Sequence, residues 1–564
     1  MIFEIPSEKY KKANTYEKRD CFTQLIQYLK SDNTNVCSIY GLRRTGKSTM
    51  MYQAIEEVGL NRCGYILCED KDTYGELCQN IEKYIEEGKA AIFIDEVTKI
   101  SNFVTSSASL ADYYAGKGSK IVITGTDSLG LSLATRGELY DRTDDIHTTY
   151  ISYGEFVRLI KNTDIDDFIH FAGVLSHEEN IKERPFFDRK TASHYIDTAI
   201  SNNITNTFFN KKLPPSFIHR YDKLIGMHNR NTLIPVITAI VEMYSGVITK
   251  NTIDAYINQE KYSNADISSA IDLLAKNGVF LDRIEYSDNL DSQIVFAINS
   301  RQDIKGEINE EEVSQIKEYL SDLELLVKIP LIRHNANNPK REYTYETDEY
   351  IYQAGMKYCQ AKAIIDVIKE SNELNLSPIE KETLCKKIEE DVKGQILEVT
   401  TFNDLQMLLD MGRYDVFKMQ FVGDKDGEID IVIYDKKEKS CFGFEIKHSS
   451  QKHEEQLKNL LHKPFQKVLE SNFGKIKGLY VLYRGDTEHL DNGVDYINVG
   501  SFLSNLYLIK EKSIENTINS CFIECKKKLQ FTKDSLKNDL AEKNAADRDD
   551  AVKPGNKKNI NQSL

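Results

Sequence analysis

The stretch GLRRTGKST at residues 41–49 constrains the fold more than any other part of the chain. It has the form G-x-x-x-x-G-K-[ST]. Before it runs NVCSIYG (35–41), short, apolar and rich in strand formers. After it, STMMYQAIEEVG carries apolar residues at helical spacing. A strand, a glycine loop and a helix in that order turn backbone N–H groups and a helix N-terminus toward one point, which is a phosphate-binding arrangement. Gly41 and Gly46 let the loop take the required backbone angles. Lys47 is expected to reach the β- and γ-phosphates of a nucleotide and Ser48 to hold Mg²⁺, with Arg44, Thr45 and Thr49 completing the cofactor-binding set.

Beyond this helix the chain repeats the strand–helix alternation of a parallel sheet with helices on both faces. A second strand is expected at CGYILCED (63–70) and a helix at about 73–88. KAAIFIDEVTKI (89–100) then ends an apolar run in Asp95-Glu96, as a buried strand does where it meets a site. Alone, such an acidic pair is an ordinary strand end. Behind a phosphate loop, Asp95 is expected to position Mg²⁺ through water and Glu96 to polarise the attacking water. SKIVITGTDS (119–128) supplies a further strand, with Thr124 as a candidate sensor of the γ-phosphate. HTTYIS (147–152) is expected as the fifth strand. Arg136 and Arg142 are candidates for a finger on the transferring phosphoryl group, in cis or on a neighbouring subunit, against the plain reading of surface arginines. Arg142 is the favoured one.

At 564 residues the chain is too long for one core. No apolar run approaches the length of a bilayer span, and the start lacks the order of a signal peptide, so the expected location is cytoplasmic with no membrane partner. The ten cysteines form no CxxC pair and are expected to be reduced. A net charge of −15 argues against a coat for non-specific DNA binding but leaves room for a local basic groove.

Residues 161–230 are polar and helical and are expected to form a lid. Residues 231–300 carry three helices and a hairpin, the pattern of a winged helix. Its presumed recognition helix offers Asp266, Ser268, Ser269, Asp272 and Lys276. That is acidic on balance, so a structural or protein-contact role is favoured over groove reading. Residues 301–330 are treated as a helical connector.

The last third holds a second acidic constellation in GEIDIVIYDKKEKSCFGFEIKHSS (427–450). Two apolar strands joined by a charged turn predict a hairpin. Asp430 begins one strand while Glu445 and Lys447 end the other, so antiparallel pairing brings them together on one face. Two carboxylates can hold a divalent metal and a neighbouring lysine can orient or deprotonate a water, the chemistry of metal-assisted phosphodiester hydrolysis. The helical segment VKGQILEVTTF brings Glu398 as a further ligand, and Gln456 lies on a following helix. The plain alternative is an exposed hairpin with charged ends. A further strand is expected at 476–485, and residues 526–564 read as a disordered tail.

In combination, GLRRTGKST, IFIDEV, VITGTDS and ISYGEF resemble the bacterial and archaeal AAA-type ATPases whose ATPase domain precedes a winged helix. Many of those end in a restriction-endonuclease-like domain of the PD-(D/E)xK class, which GEIDIVIYD, FEIKHS and YVLYRG resemble. The resemblance covers most of residues 20–500. It implies an α/β chain with a P-loop NTPase parallel sheet with helices on both faces (1–160), a helical lid (161–230), a winged helix (231–300), a connector (301–330), and a C-terminal α/β restriction-endonuclease-like domain (331–525). It implies ATP and Mg²⁺ at Lys47, Ser48, Asp95 and Glu96, and a nuclease-type site for Mg²⁺ or Mn²⁺ at Glu398, Asp430, Glu445 and Lys447. Ile429 stands where the class has its proline. The expected activity is ATP hydrolysis coupled to a nuclease-like domain acting on DNA or RNA. The alternatives are an ATP-dependent switch for a protein partner or homo-oligomer with an inert hairpin, and a DNA-binding ATPase that does not cleave.

Overall fold

A computed structural model of the protein describes residues 1–171 (apart from 2, 42–43, 115, most of 126–141, and 149), 219–223, 307–335 (apart from 323–325), the backbone of 345–352, 377–422, 426–509, 513–528 and a few single positions. The winged helix expected at 231–300, most of the lid, Arg136 and the tail from 531 lie outside the described residues.

The apolar runs of the first third form a five-stranded parallel sheet: β1 (Val36–Tyr40), β2 (Cys63–Leu67), β3 (Ala91–Asp95), β4 (Lys120–Thr124) and β5 (Thr143–His147), in the order β2-β3-β4-β1-β5. The helices around it are α1 (Ser7–Ala13), α2 (Phe22–Lys30), α3 (Lys47–Val58) and α4 (Tyr74–Glu86). Successive side chains of a strand point to opposite faces, so a strand covered on both sides must be apolar throughout. In β3, Ile92 and Ile94 pack with Leu77 and Ile81 of α4. Ala91 and Phe93 pack with Leu25 of α2 and Met51 of α3.

The fifth strand differs from the expectation. It is TDDIH, residues 143–147, and meets HTTYIS only at His147. It pairs with β1 alone at the edge of the sheet, so Asp144 and Asp145 need no apolar cover there.

The second sheet has seven strands in the order β12-β11-β10-β9-β8-β6-β7. They are β6 (Leu326–Asn335), β7 (Tyr345–Tyr352), β8 (Tyr414–Val422), β9 (Gly427–Asp435), β10 (Ser440–Ile446), β11 (Lys475–Tyr483) and β12 (Asp495–Asn498). β6 therefore begins inside the span expected as a connector. The expected hairpin is present: β9 and β10 run antiparallel, with Ser440 opposite Asp435 and Phe444 opposite Ile431. Its turn is closed by Asp435 Oδ1, which accepts from the N–H of Lys437 at 3.0 Å and of Glu438 at 3.1 Å. The helix Lys463–Phe473 connects β10 to β11, which lies parallel to it. A 31-residue helix, Pro378–Leu408, precedes β8 and starts with a Ser377/Glu380 capping box and Pro378.

The two sheets share packing. The helices Tyr153–Ile160 and Ile165–Phe171 follow β5 in the chain. They bury Tyr153, Phe156 and Phe168 in one core with Leu397 and Phe402 of the long helix and Phe502 and Leu503 of the helix Val499–Leu508. Fully burying one such side chain contributes on the order of 2 kcal/mol. Gly154 makes the approach possible: a Cβ there would lie 2.2 Å from the Cβ of Tyr507.

Candidate functional site

The phosphate loop leaves the carboxyl end of β1 and enters α3 through Gly46, whose φ of 91° is left-handed. Gly41 has φ 139°, and a Cβ there would strike the Thr148 carbonyl oxygen at 2.4 Å. Glycine is thus required at both ends. The Thr45 and Thr148 hydroxyls lie 2.7 Å apart, and the N–H of Thr148 donates to the Tyr40 carbonyl at 2.7 Å, so the exit of β5 is stapled to the loop. The Lys47 ammonium is folded back and donates to the Gly41 carbonyl at 2.8 Å.

Asp95, 4 % exposed, ends β3 beside the loop. Burial pushes its carboxyl up to about 6 and the Glu96 charge adds to this, while a hydrogen bond with Ser48 and the charge of Lys47 oppose it. Glu96 follows at φ 57°, a left-handed position that costs a non-glycine residue about 1 kcal/mol and re-aims its side chain. Arg44, Gly46, Ser48, Thr49, Asp95 and Glu96 line one cleft of about 800 Å³. Thr124 ends β4 opposite Ile39 of β1, and its hydroxyl is buried without a hydrogen-bond partner. A buried orphan hydroxyl beside a phosphate loop fits a ligand-sensing role.

The structure does not bring Arg142 to this cleft. Its carbonyl accepts from the N–H of Val36 at 3.0 Å, at the start of β1, and its guanidinium pairs with Asp112 at 3.1 Å on the surface. One five-residue strand, roughly 16 Å at about 3.3 Å per residue, separates it from the loop. Its place at the far end of the sheet leaves it no part in its own subunit's site.

Of the second constellation, Asp430, Glu445 and Lys447 meet, while the carboxylate of Glu398 does not join those of Asp430 and Glu445 in one group. Asp430 Oδ2 accepts from the N–H of Ile446 at 2.7 Å and from Lys447 Nζ at 3.1 Å. Glu445 Oε2 pairs with the same ammonium at 2.7 Å, and Glu445 Oε1 is buried without a hydrogen-bond partner. Burial pushes the Glu445 carboxyl well above the usual carboxylate range, the Asp430 charge adds to the effect and Lys447 works against it. Burial alone would lower Lys447, but Asp430 and Glu445 outweigh it and keep the ammonium charged. Asp430, Lys447, Glu398 and Gln456 line one open cleft of about 1080 Å³. Glu398 pairs there with Lys418 at 3.1 Å, and Lys418 also reaches Glu428 at 3.4 Å. Gln456 is turned to the Tyr496 hydroxyl and the Gln451 carbonyl, at 3.0 and 3.1 Å. Among the described residues no group of three or more His, Cys, Asp or Glu side chains is arranged to hold a metal ion. The Lys447 ammonium lies between the two carboxylates and pairs with both.

Three groups are not legible in the sequence. Arg19 pairs with Glu155 at 2.7 Å and donates to the Thr45 carbonyl at 2.5 Å, both contacts buried. Asp404 Oδ2 accepts from the N–H of Tyr153 at 2.9 Å across the two halves, and burial pushes its carboxyl up to about 8. Asp166 meets two residues that line the second cleft, at 2.5 Å from His448 Nε2 and 3.0 Å from Arg484 Nη1. No periodic or local pattern joins residues so far apart. The nearest signal is Glu155 within ISYGEF, which opens a helix capped by Ser152.

Among the described residues no helix is long and apolar enough to cross a membrane, and all nine described cysteines are free. No curated protein matches the chain. Solved structures similar at low identity include two. One is the Aeropyrum pernix ORC1 protein in complex with DNA, at 10% identity, a TM-score of 0.22, and coverage of 64% of this chain and 93% of that one. The other is the S. cerevisiae Hsp104:casein complex, at 11% identity, a TM-score of 0.23, and coverage of 58% and 59%. The family model described as AAA domain matches residues 33–157, the span that holds the phosphate loop, the acidic end of β3 and all five parallel strands. Residues 33–157 are thus similar to the AAA domain.

Proposed function

We propose that the chain hydrolyses ATP and uses the resulting motion to position a metal-dependent nuclease-like domain on DNA or RNA. Lys47 exchanges the Gly41 carbonyl for the β- and γ-phosphates, and the N-terminus of α3 favours the same anion. Glu96 orients the attacking water, and the Thr124 hydroxyl reads the γ-phosphate. Mg²⁺ held by Ser48, and through water by Asp95, would draw charge from the phosphates. A neighbouring subunit's site is where Arg142 can act as a finger, which would make the working form a homo-oligomer.

Arg19 joins the Thr45 carbonyl to Glu155, and Glu155 rides on the helix that packs into the C-terminal core. A change at the loop therefore has a rigid route to the second cleft. There, Asp430 and Glu445 are the residues to hold Mg²⁺ or Mn²⁺, which would polarise a phosphodiester. Lys447 is placed to orient the attacking water once it leaves the carboxylates. The observation that carries this reading is the meeting of Asp430, Glu445 and Lys447, with Asp430 and Lys447 on the wall of an open cleft and Glu445 buried behind them.

A second reading is favoured by the ammonium that already pairs with both carboxylates. In it the C-terminal domain is inert, and ATP state controls a protein partner through residues 231–300. A third is a DNA-binding ATPase that does not cleave. Incubation with Mg²⁺ or Mn²⁺ and single- and double-stranded DNA and RNA separates them. Cleavage that is lost in Asp430→Ala while ATP turnover persists supports the first reading. Binding without cleavage supports the third, and ATP turnover with neither supports the switch.

A further inference from the structure

The cleft beside Lys447 has a basic wall that the hydrolytic residues do not use. Lys393, from the long helix, His448, just past β10, and Arg484, just past β11, all face one carboxylate, that of Asp166. The distances are 3.9 Å from Lys393 Nζ, 2.5 Å from His448 Nε2 and 3.0 Å from Arg484 Nη1. Lys393 also pairs with Glu389 at 2.9 Å. Asp166 is foreign to this domain in sequence. It lies in the helix Ile165–Phe171, just beyond the ATPase domain, 282 residues before His448. Three basic side chains from three separate elements converge on two oxygens at the rim of the cleft, close to the end of β10.

We propose that Lys393, His448 and Arg484 form a phosphodiester-binding subsite, and that the Asp166 carboxylate occupies it in place of a nucleic-acid phosphate. The inference rests on the nucleic-acid reading of the adjacent cleft. A carboxylate and a phosphodiester each carry one negative charge and present two oxygens to donors, so one set of forked and ring donors serves both. Strand binding must displace Asp166, and the helix that carries it follows directly on the one that bears Glu155. Movement at the phosphate loop is thereby tied to opening of the subsite.

The test uses the full-length chain in a Glu445→Gln background, so that no strand is cut during titration. Fluorescence anisotropy with labelled single- and double-stranded DNA and RNA oligonucleotides gives affinities for the background and for added Asp166→Asn. Circular dichroism and thermal melts establish that each variant is folded, with Asp166→Ala as a second variant. Asp166→Asn is expected to tighten binding about tenfold, the size of one charge-assisted hydrogen bond. A further Arg484→Ala should abolish the gain and reduce the salt dependence by about one phosphate contact. If the background binds and Asp166→Asn binds no better, the subsite is overturned while the cleavage reading stands. If no variant binds any strand, the subsite is overturned as well. If Asp166→Asn tightens binding while the chain with Glu445 intact cuts nothing, the subsite stands and the cleavage reading falls.

Discussion

Arg19 and Glu155, 136 residues apart, form a buried ion pair at 2.7 Å, and the same guanidinium donates to the Thr45 carbonyl within the phosphate loop. Removing one partner of a buried pair leaves the other charge in low dielectric. Arg19→Ala is therefore expected to cost about 3 kcal/mol in urea unfolding. The Glu155 carboxylate keeps the Asp20 N–H at 2.8 Å and Arg158 at 3.7 Å, which limits the loss. ATP affinity measured by calorimetry should fall with it, because Thr45 loses its anchor. Unchanged ATP binding in a folded Arg19→Ala protein would separate the pair from the nucleotide site.

Lys47→Ala removes the ammonium seated on the loop and should weaken ATP binding by about 100-fold. Glu96→Gln keeps the loop and the shape of the side chain without its charge. It should bind ATP normally and turn it over about 100-fold more slowly. Single-turnover measurements read the two effects apart, and a normal rate in Glu96→Gln removes that residue from the reaction.

Asp404 gives a pH dependence with a definite sign. Its carboxyl is raised to about 8 when folded, from the ordinary value of about 4, and its Oδ1 is buried without a partner. The folded state therefore holds this proton more tightly than the unfolded chain. The stability it contributes is fully present below about pH 4 and is lost as the pH rises through about 8, at up to about 1.4 kcal/mol per unit. Asp404→Asn keeps an oxygen for the Tyr153 N–H and has no proton to lose. Its advantage over the wild type should grow between about pH 5 and about pH 8 and level off above. Urea midpoints across that range read the difference, and parallel curves would show that Asp404 does not titrate there.

The same residues explain what the sequence could and could not declare. IFIDEV was legible because a strand buried on both faces must be apolar throughout, and Asp95-Glu96 interrupts that rule where the strand meets the loop. The β9–β10 hairpin was legible because its charged turn divides two apolar runs, and period two then set Glu445 and Lys447 on the Asp430 side. β5 was not, because an edge strand can carry Asp144 and Asp145. Glu398 is expected as a ligand from its helix alone, but its pairing with Lys418 depends on how that helix crosses β8, which no local pattern encodes. Arg19 with Glu155 and Asp166 with His448 meet only through the tertiary fold.

Lys447 is the most informative single position in the second cleft. Its ammonium lies 3.1 Å from Asp430 and 2.7 Å from Glu445, both nearly fully buried. Lys447→Met keeps the length of the side chain and removes the charge, leaving two carboxylates side by side. Breaking a buried pair in this way costs about 3 kcal/mol, and Glu445, already raised by burial and by Asp430, would be driven further toward its neutral form. A divalent cation can replace the lost charge. Mn²⁺ is therefore expected to raise the melting temperature of Lys447→Met by several degrees more than that of the wild type, since each 1 kcal/mol shifts a domain of this size by about 3 °C. Adding Glu445→Gln should remove the response. The same Mn²⁺ shift in the wild type, Lys447→Met and the double variant would place the cation elsewhere in the protein and leave Asp430 and Glu445 as a structural ion-pair cluster.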